Sequence, residues 1–163
     1  MKQPEVFKTL VSHFDNQMLI VTVASGGETS GCLVGFATQC SIDPPRLLVC
    51  LSKRNHTYRV AINAETLVVH VLRLADLPVA RHFGELTGDE VDKFAEVEWT
   101  PGPDGAPVLR GLDWLAGRVI EHHDLGDHVG FALEALGPGS TERVKEPRLG
   151  LSNTLGMEPG HEP

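Results

Sequence analysis

The stretch from Gly31 to Tyr58 sets two apolar, β-like runs on either side of Asp43-Pro44-Pro45 and ends in a polar loop. The first run, Gly31 to Ser41, includes Gly35, and a glycine inside a strand commonly marks a bulge or the close approach of a ligand or another backbone. The second run, Leu47 to Leu51, is apolar on both faces, whereas a half-exposed strand would alternate. We therefore predict a central or interface-covered strand there, which also indicates a dimer.

Similar short runs recur along the chain, with helices inserted between them instead of alternating strictly with strands. Further strands are predicted at Met18 to Ala24, Leu67 to Leu72, Leu112 to His123 and His128 to Leu136, and helices at Pro4 to Asn16, Asn55 to Ala64 and Leu77 to Leu86. The pattern favours a mainly β fold, an antiparallel barrel with accessory helices, over a doubly wound sheet. The first helix is expected to cap one end of the barrel, and Gly88 to Pro107 to be rich in loops.

The 163 residues suit one domain, 1–163, that buries its core without disulfides or a structural metal. We expect a core of about 10–137, and a tail, 146–163, that forms a peripheral or swapped arm. The chain has 14 Lys and Arg against 22 Asp and Glu, and the basic residues are scattered, which argues against a nucleic-acid surface.

The cysteine and hydropathy patterns bear on the cellular compartment. Cys32, Cys40 and Cys50 all lie in apolar β-like runs, and the N-terminus shows no secretory leader pattern. We interpret them as reduced core thiols of a cytoplasmic protein. No apolar run approaches the ~18 residues of a membrane helix, so no membrane span is expected.

Several common chemistries lack their motifs. The chain has no GxGxxG opening a helix after a strand, no GxxxxGK[ST] and no GxSxG, which argues against a dinucleotide fold of the usual kind, a P-loop and a nucleophile elbow. The eight histidines show no HExxH spacing, and the adjacent His122 and His123 point to opposite faces of a strand. We therefore predict no metal site.

Seven motifs occur in the order found in one protein family. They are Gly31-Cys32, Cys40-Ser41-Ile42-Asp43-Pro44-Pro45, Leu47 to Leu51, Asn55-His56-Thr57-Tyr58, Ala80 to Phe83, Asp92-Lys93-Phe94 and Gly126-Asp127-His128. Each is weak alone, but together they resemble the flavin reductase-like, FMN-binding split-barrel family. The resemblance implies a split β-barrel, normally a homodimer with flavin near the subunit interface.

The polar loop after the second run is a candidate phosphate site. Hydroxyls, cations and the amides of a helix N-terminus come together there, and a flavin mononucleotide phosphate needs such donors. The residues are Ser52, Lys53, Arg54, Asn55 and Thr57. The alternative is a plain helix cap with solvated charges.

The flavin ring is expected along Leu33 to Ser41. The resemblance assigns it the strand amides and the residues Leu33, Val34, Gly35, Thr38, Gln39, Cys40 and Ser41. The alternatives are an ordinary barrel strand and, for Cys40, a small buried hydrophobe. Where the family often has Thr-Ala-Ser, this chain has Leu33-Val34-Gly35, so two hydroxyl donors are missing, and the flavin can be prosthetic or exchanging.

Three further residues are candidates for the site. His128 lies beside the cofactor in the family and is the candidate catalytic residue, with a tight turn at Asp127 as the alternative. Phe83 is either a residue of the hydrophobic core or part of the wall of the flavin pocket. Lys93 reaches the phosphate or is solvated.

The sequence thus predicts an NAD(P)H-dependent flavin reductase, in which nicotinamide stacks on flavin and passes hydride to N5. FMN is expected, with FAD as an alternative, and reduced flavin would serve a partner monooxygenase or another acceptor. A flavin-binding module without reductase turnover is the second hypothesis. A pyridoxamine-phosphate oxidase-like or haem-binding split barrel fits the motifs less well.

Overall fold

Antiparallel strands dominate the computed structural model, which describes residues 2–160. The elements in chain order are α1 (Glu5–Ser12), β1 (Leu19–Ser25), β2 (Glu28–Val34), β3 (Ala37–Ser41), β4 (Arg46–Ser52), α2 (His56–Ala61), β5 (Thr66–Val71), α3 (Leu77–Glu85), β6 (Trp99–Pro101), β7 (Pro107–Leu109), β8 (Asp113–Asp124) and β9 (His128–Ser140). Short 3₁₀ turns lie at Leu74–Asp76, Pro103–Gly105 and Leu151–Thr154. Residues 1 and 161–163, the last of which end the predicted arm, lie outside the described part of the chain.

Seven strands form one sheet in the order β2-β1-β5-β8-β9-β4-β3, and β6 and β7 form a separate hairpin. Strands β2 and β3 are consecutive in the chain but lie at opposite edges of this sheet. Cys32 and Val34 of β2 nevertheless share one buried core with Val49 and Leu51 of β4, near the other edge. The sheet therefore curls around a common interior, and the prediction of an antiparallel split barrel with accessory helices is confirmed.

The prediction of a single strand from Gly31 to Ser41 is wrong. Strand β2 pairs with β1 as far as Val34, and β3 pairs with β4 from Ala37, so the chain crosses between the sheet edges at Gly35 and Phe36. A Cβ on Gly35 would lie 3.4 Å from Met18 Sδ, which is ordinary van der Waals contact. Strand-forming residues lie on both sides of Gly35, and a lone glycine inside such a run can mark a bulge as well as the end of a strand.

Two predictions about burial are also wrong. Cys32 is buried and Cys50 half-buried, but Cys40 is exposed because it lies on the edge strand β3. Helix α1 buries no side chain, so it does not cap the barrel in this chain. None of the helices within residues 2–160 is long and apolar enough to cross a membrane.

His70 on β5 is a fully buried, neutral histidine. Its Nδ1 lies 3.1 Å from the Ile20 carbonyl oxygen, and its Nε2 accepts a hydrogen bond of 2.9 Å from the Leu109 amide. Because an amide only donates, Nε2 is unprotonated and Nδ1 carries the hydrogen. Burial lowers the pKa of His70 from 6.5 to about 4, since the charged ring would lose its hydration.

This buried ring makes the protein less stable in mild acid. The unfolded chain takes up a proton on His70 near pH 6.5, whereas the folded chain does so only near pH 4, so stability is lost as the pH falls between these values. The loss attributable to His70 is about 2 kcal/mol at pH 5. Urea unfolding at pH 7.5 and pH 5 should show this loss in the wild type and not in His70→Gln, whose amide can donate and accept in the same places. Equal losses in the two proteins would contradict the assignment.

Candidate functional site

A cavity of about 330 Å³ opens between β2, the end of β4, α3 and the C-terminal segment. Its size is at the lower end of the range for small-molecule sites, about 300–1,000 Å³. Most of its lining is apolar, from Met18, Cys32, Leu33, Val34, Phe36, Leu51, Phe83, Leu86, Leu151, Met157 and Pro159. Ser52, Asn55, Asp127, His128 and Thr154 supply the polar part of the lining. Such a cavity suits a flat, largely apolar ring that carries a polar or charged group.

The polar residues meet because of the pairing between β4 and β9. That register sets Ser52 opposite His128, and the Lys53 amide donates to the Asp127 carbonyl oxygen at 2.9 Å. Lys53 Nζ also donates to Asp124 Oδ1 at 2.8 Å, and this bond holds the pKa of Asp124 below its ordinary value. These two hydrogen bonds therefore hold the loop after β4 against the turn before β9, although the two segments are far apart in sequence.

Asn55 caps helix α2, as the sequence predicts. Its backbone is extended, and its side-chain oxygen accepts a hydrogen bond of 2.9 Å from the Thr57 amide. Thr57 itself is buried, with its hydroxyl 2.8 Å from that of Ser30. The neighbouring amides of the loop and first turn also donate within the protein, so the side chains of Ser52 and Asn55 are the polar groups that this end of the cavity presents to a ligand.

His128 stands at the start of β9, and its position is fixed by two neighbours. Its Nδ1 lies 2.7 Å from Asp127 Oδ1, and its ring centroid lies 5.0 Å from that of Phe36. The hydrogen bond from His128, with the attraction of its charge, keeps the pKa of Asp127 below its ordinary value. The imidazole is 27% exposed, so it is oriented by the protein while remaining open to a ligand.

Seven of the fifteen predicted site residues line the cavity. These are Leu33, Val34, Gly35, Ser52, Asn55, Phe83 and His128. Lys53, Arg54 and Thr57 flank it in the loop and first turn of α2, with Thr57 turned into the core. Thr38, Gln39, Cys40 and Ser41 lie on the edge strand β3, outside the lining.

Lys93 has a position that differs from both of its expected ones. It is 4% exposed, and its Nζ donates to the Gly31 carbonyl oxygen at 3.0 Å and to that of Phe83 at 2.9 Å. Burial lowers its pKa, because the ammonium group loses hydration. Lys93 thus ties β2 to α3 behind the cavity wall.

The sequence did not predict that the C-terminal segment contributes to the cavity. Leu151, Thr154, Met157 and Pro159 line the cavity, although the tail was expected to be peripheral or swapped. One signal in the sequence was Gly84. A glycine inside a helix lowers its stability, so its presence there can indicate that another group packs closely against the helix.

Among residues 2–160, no group of three or more His, Cys, Asp or Glu side chains is placed to hold a metal ion.

The profile of the flavin reductase like domain family matches residues 11–151. The reductase component of 4-hydroxyphenylacetate 3-monooxygenase from Pseudomonas aeruginosa is 31% identical over 134 residues, covering 80% of this chain and 78% of the relative. A protein named "Probable flavin reductase" from Rhizobium meliloti is 32% identical over 114 residues, 67% of this chain. The aligned region covers only 36% of that relative. Among solved structures, the NADH:FAD oxidoreductase SgcE6 of Streptomyces globisporus C-1027 has a TM-score of 0.75 at 26% identity, covering 92% of this chain and 89% of that one.

Proposed function

The chain belongs to the flavin reductase-like family, and we propose that it is an NAD(P)H-dependent flavin reductase that binds its flavin in the cavity beside Ser52 and His128. The observation that carries this function is the β4–β9 register, which sets the helix-capping loop and His128 together in an otherwise apolar cavity. The names of the relatives support the reaction class.

The lining residues fit a flavin mononucleotide in their chemistry. Leu33, Val34 and Phe36 would cover the ring and keep water from it, while the side chains of Ser52 and Asn55 would hold the phosphate. Bound flavin would supply the hydride acceptor for a nicotinamide donor. The chain's own contribution is binding and orientation, with His128, fixed by Asp127, placed to orient the ligands.

We propose FMN as the flavin, with FAD as the alternative because SgcE6 is named an NADH:FAD oxidoreductase. Leu33-Val34-Gly35 offers no side-chain hydroxyl, so backbone amides would make the polar contacts to the ring on this strand. Parallel titrations with FMN and FAD identify the preferred flavin, and parallel titrations with NADH and NADPH identify the hydride donor.

Three proposals concern the setting of this reaction. Reduced flavin would pass to a monooxygenase, since one relative is named as the reductase component of such a system. A second copy of the chain would form a homodimer, consistent with the exposed apolar residues of α1, Val6, Phe7 and Leu10. The free thiols fit a reducing cytoplasm.

A flavin-binding module without turnover is the second candidate, favoured by the missing hydroxyls at Leu33-Val34-Gly35. Oxidation of NADH in the presence of added FMN separates the two functions. Protein-dependent oxidation supports the reductase, whereas tight FMN binding without oxidation of NADH or NADPH supports the module.

Within the reductase, replacing His128 with alanine is expected to slow NADH oxidation roughly tenfold, because an oriented contact at the cavity is lost. Steady-state oxidation of NADH with saturating FMN measures this. His123→Ala is the matched control, since His123 is an exposed histidine on β8 outside the cavity lining, and it should retain wild-type rates. Equal rates of NADH oxidation for the wild type and both variants would contradict a role for His128 in the reaction.

A further inference from the structure

The segment after β9 is attached to its own chain at both ends of the stretch that lines the cavity. Leu149 is fully buried, accepts a hydrogen bond of 2.9 Å from the Met18 amide, and donates one of 3.1 Å to the Leu72 carbonyl oxygen. The Gly160 amide donates to the Gly84 carbonyl oxygen at 3.2 Å. The residues between these attachments therefore run along the cavity.

Two glycines lie at the second attachment. A Cβ on Gly84 would lie 2.7 Å from Leu33 Cδ2 and 2.8 Å from Met157 Cε. A Cβ on Gly160 would lie 2.6 Å from the carbonyl carbon of Leu86 and 2.7 Å from its oxygen. At Gly160 a Cβ would meet backbone atoms that cannot move aside, so the segment is seated there because this position lacks a side chain. At Gly84 the ends of two flexible side chains pack into the space that a Cβ would occupy.

The seated segment has an inner and an outer side. Thr154, Met157 and Pro159 line the cavity, whereas Leu155 is 76% exposed. The side chains of Met157 and Leu33 both approach Gly84, and both line the cavity. A methionine side chain is flexible and fills irregular gaps against a ring.

We propose that Met157 is a positioning residue for the bound flavin, and that the segment 154–159 sets how tightly the flavin is held. The inference rests on the proposed flavin site and adds to it a wall from the C-terminal segment. Contact with Met157 would bury part of the ring surface that would otherwise face water, and burial of apolar area favours the bound state. Loss of this contact should act mainly on the dissociation rate.

The test uses the full chain with FMN as the probe, followed by flavin fluorescence and stopped-flow dissociation. Met157→Ala is expected to raise the Kd about tenfold, a change equivalent to one partly buried side chain. Leu155→Ala, a loss of similar size on the outer side, should leave the Kd unchanged, and Met157→Leu should restore it to within about twofold. Thermal unfolding without flavin should be the same for all variants.

A second variant tests the seating by changing a residue outside the cavity lining. Gly160→Ala would drive its new Cβ into the Leu86 backbone, so the segment should lift and the Kd should rise as in Met157→Ala. Wild-type affinity in both Met157→Ala and Gly160→Ala would overturn the inference while leaving the flavin site intact. Absence of FMN binding by the wild type would overturn the proposed function together with it.

Discussion

Replacing Phe83 with alanine is expected to lower the free energy of unfolding by roughly 3–5 kcal/mol. Phe83 is 1% exposed on the inner side of α3, with its ring centroid 5.5 Å from that of Phe94 in an edge contact. Lys93 Nζ lies 5.8 Å from the same centroid. The substitution removes a large buried ring and leaves a hole that these neighbours can fill only in part. Urea unfolding followed by circular dichroism measures the loss.

The matched control for this change is Phe14→Ala. Phe14 is 70% exposed, so its replacement should alter the free energy of unfolding by no more than about 0.5 kcal/mol. Phe83 also lines the cavity, so its variant should bind FMN weakly even where it remains folded. A loss of stability as small as that of Phe14→Ala would contradict the packing of α3 on the sheet.

Replacing Asn55 with alanine is expected to weaken FMN binding by tenfold or more, and riboflavin binding by much less. The change removes the acceptor of the Thr57 amide, which costs about 1 kcal/mol of helix stability, and also removes a polar side chain from the cavity. Riboflavin lacks the phosphate, so it should not depend on donors in this loop. Parallel fluorescence titrations with the two ligands measure the difference.

Asn55→Asp separates the helix cap from the phosphate contact. Aspartate caps a helix as well as asparagine does, so the melting temperature should be retained. Its negative charge would repel the FMN phosphate, so FMN affinity should fall while riboflavin affinity is kept. Equal losses for both ligands would place the phosphate elsewhere.

The local features of this chain were readable from its sequence. A helix was predicted to begin at Asn55, and a break between two strands was predicted before His128, because helix starts and hairpin turns depend on a few neighbouring residues. The motif order also predicted the split barrel. These local predictions identified residues of the site but not how the residues are arranged in space.

Long-range features were not readable in the same way. The pairing of Ser52 with His128 depends on the β4–β9 register, which no local pattern specifies. The exposed position of Cys40 follows from the crossing at Gly35, which sends β3 to the far edge of the sheet. The seating of the tail depends on the contact of Gly160 with the end of α3. A single glycine in a tail does not indicate which residues it contacts.

The most direct test of the flavin reductase is anaerobic reduction of the flavin bound to the protein. Purified protein with FMN is mixed without oxygen with NADH, and separately with NADPH, and the flavin absorbance near 450 nm is followed. Rapid, protein-dependent bleaching with one or both donors is the predicted result, and it also names the donor. Bound FMN that stays yellow with both donors would contradict the reductase and leave a flavin-binding module.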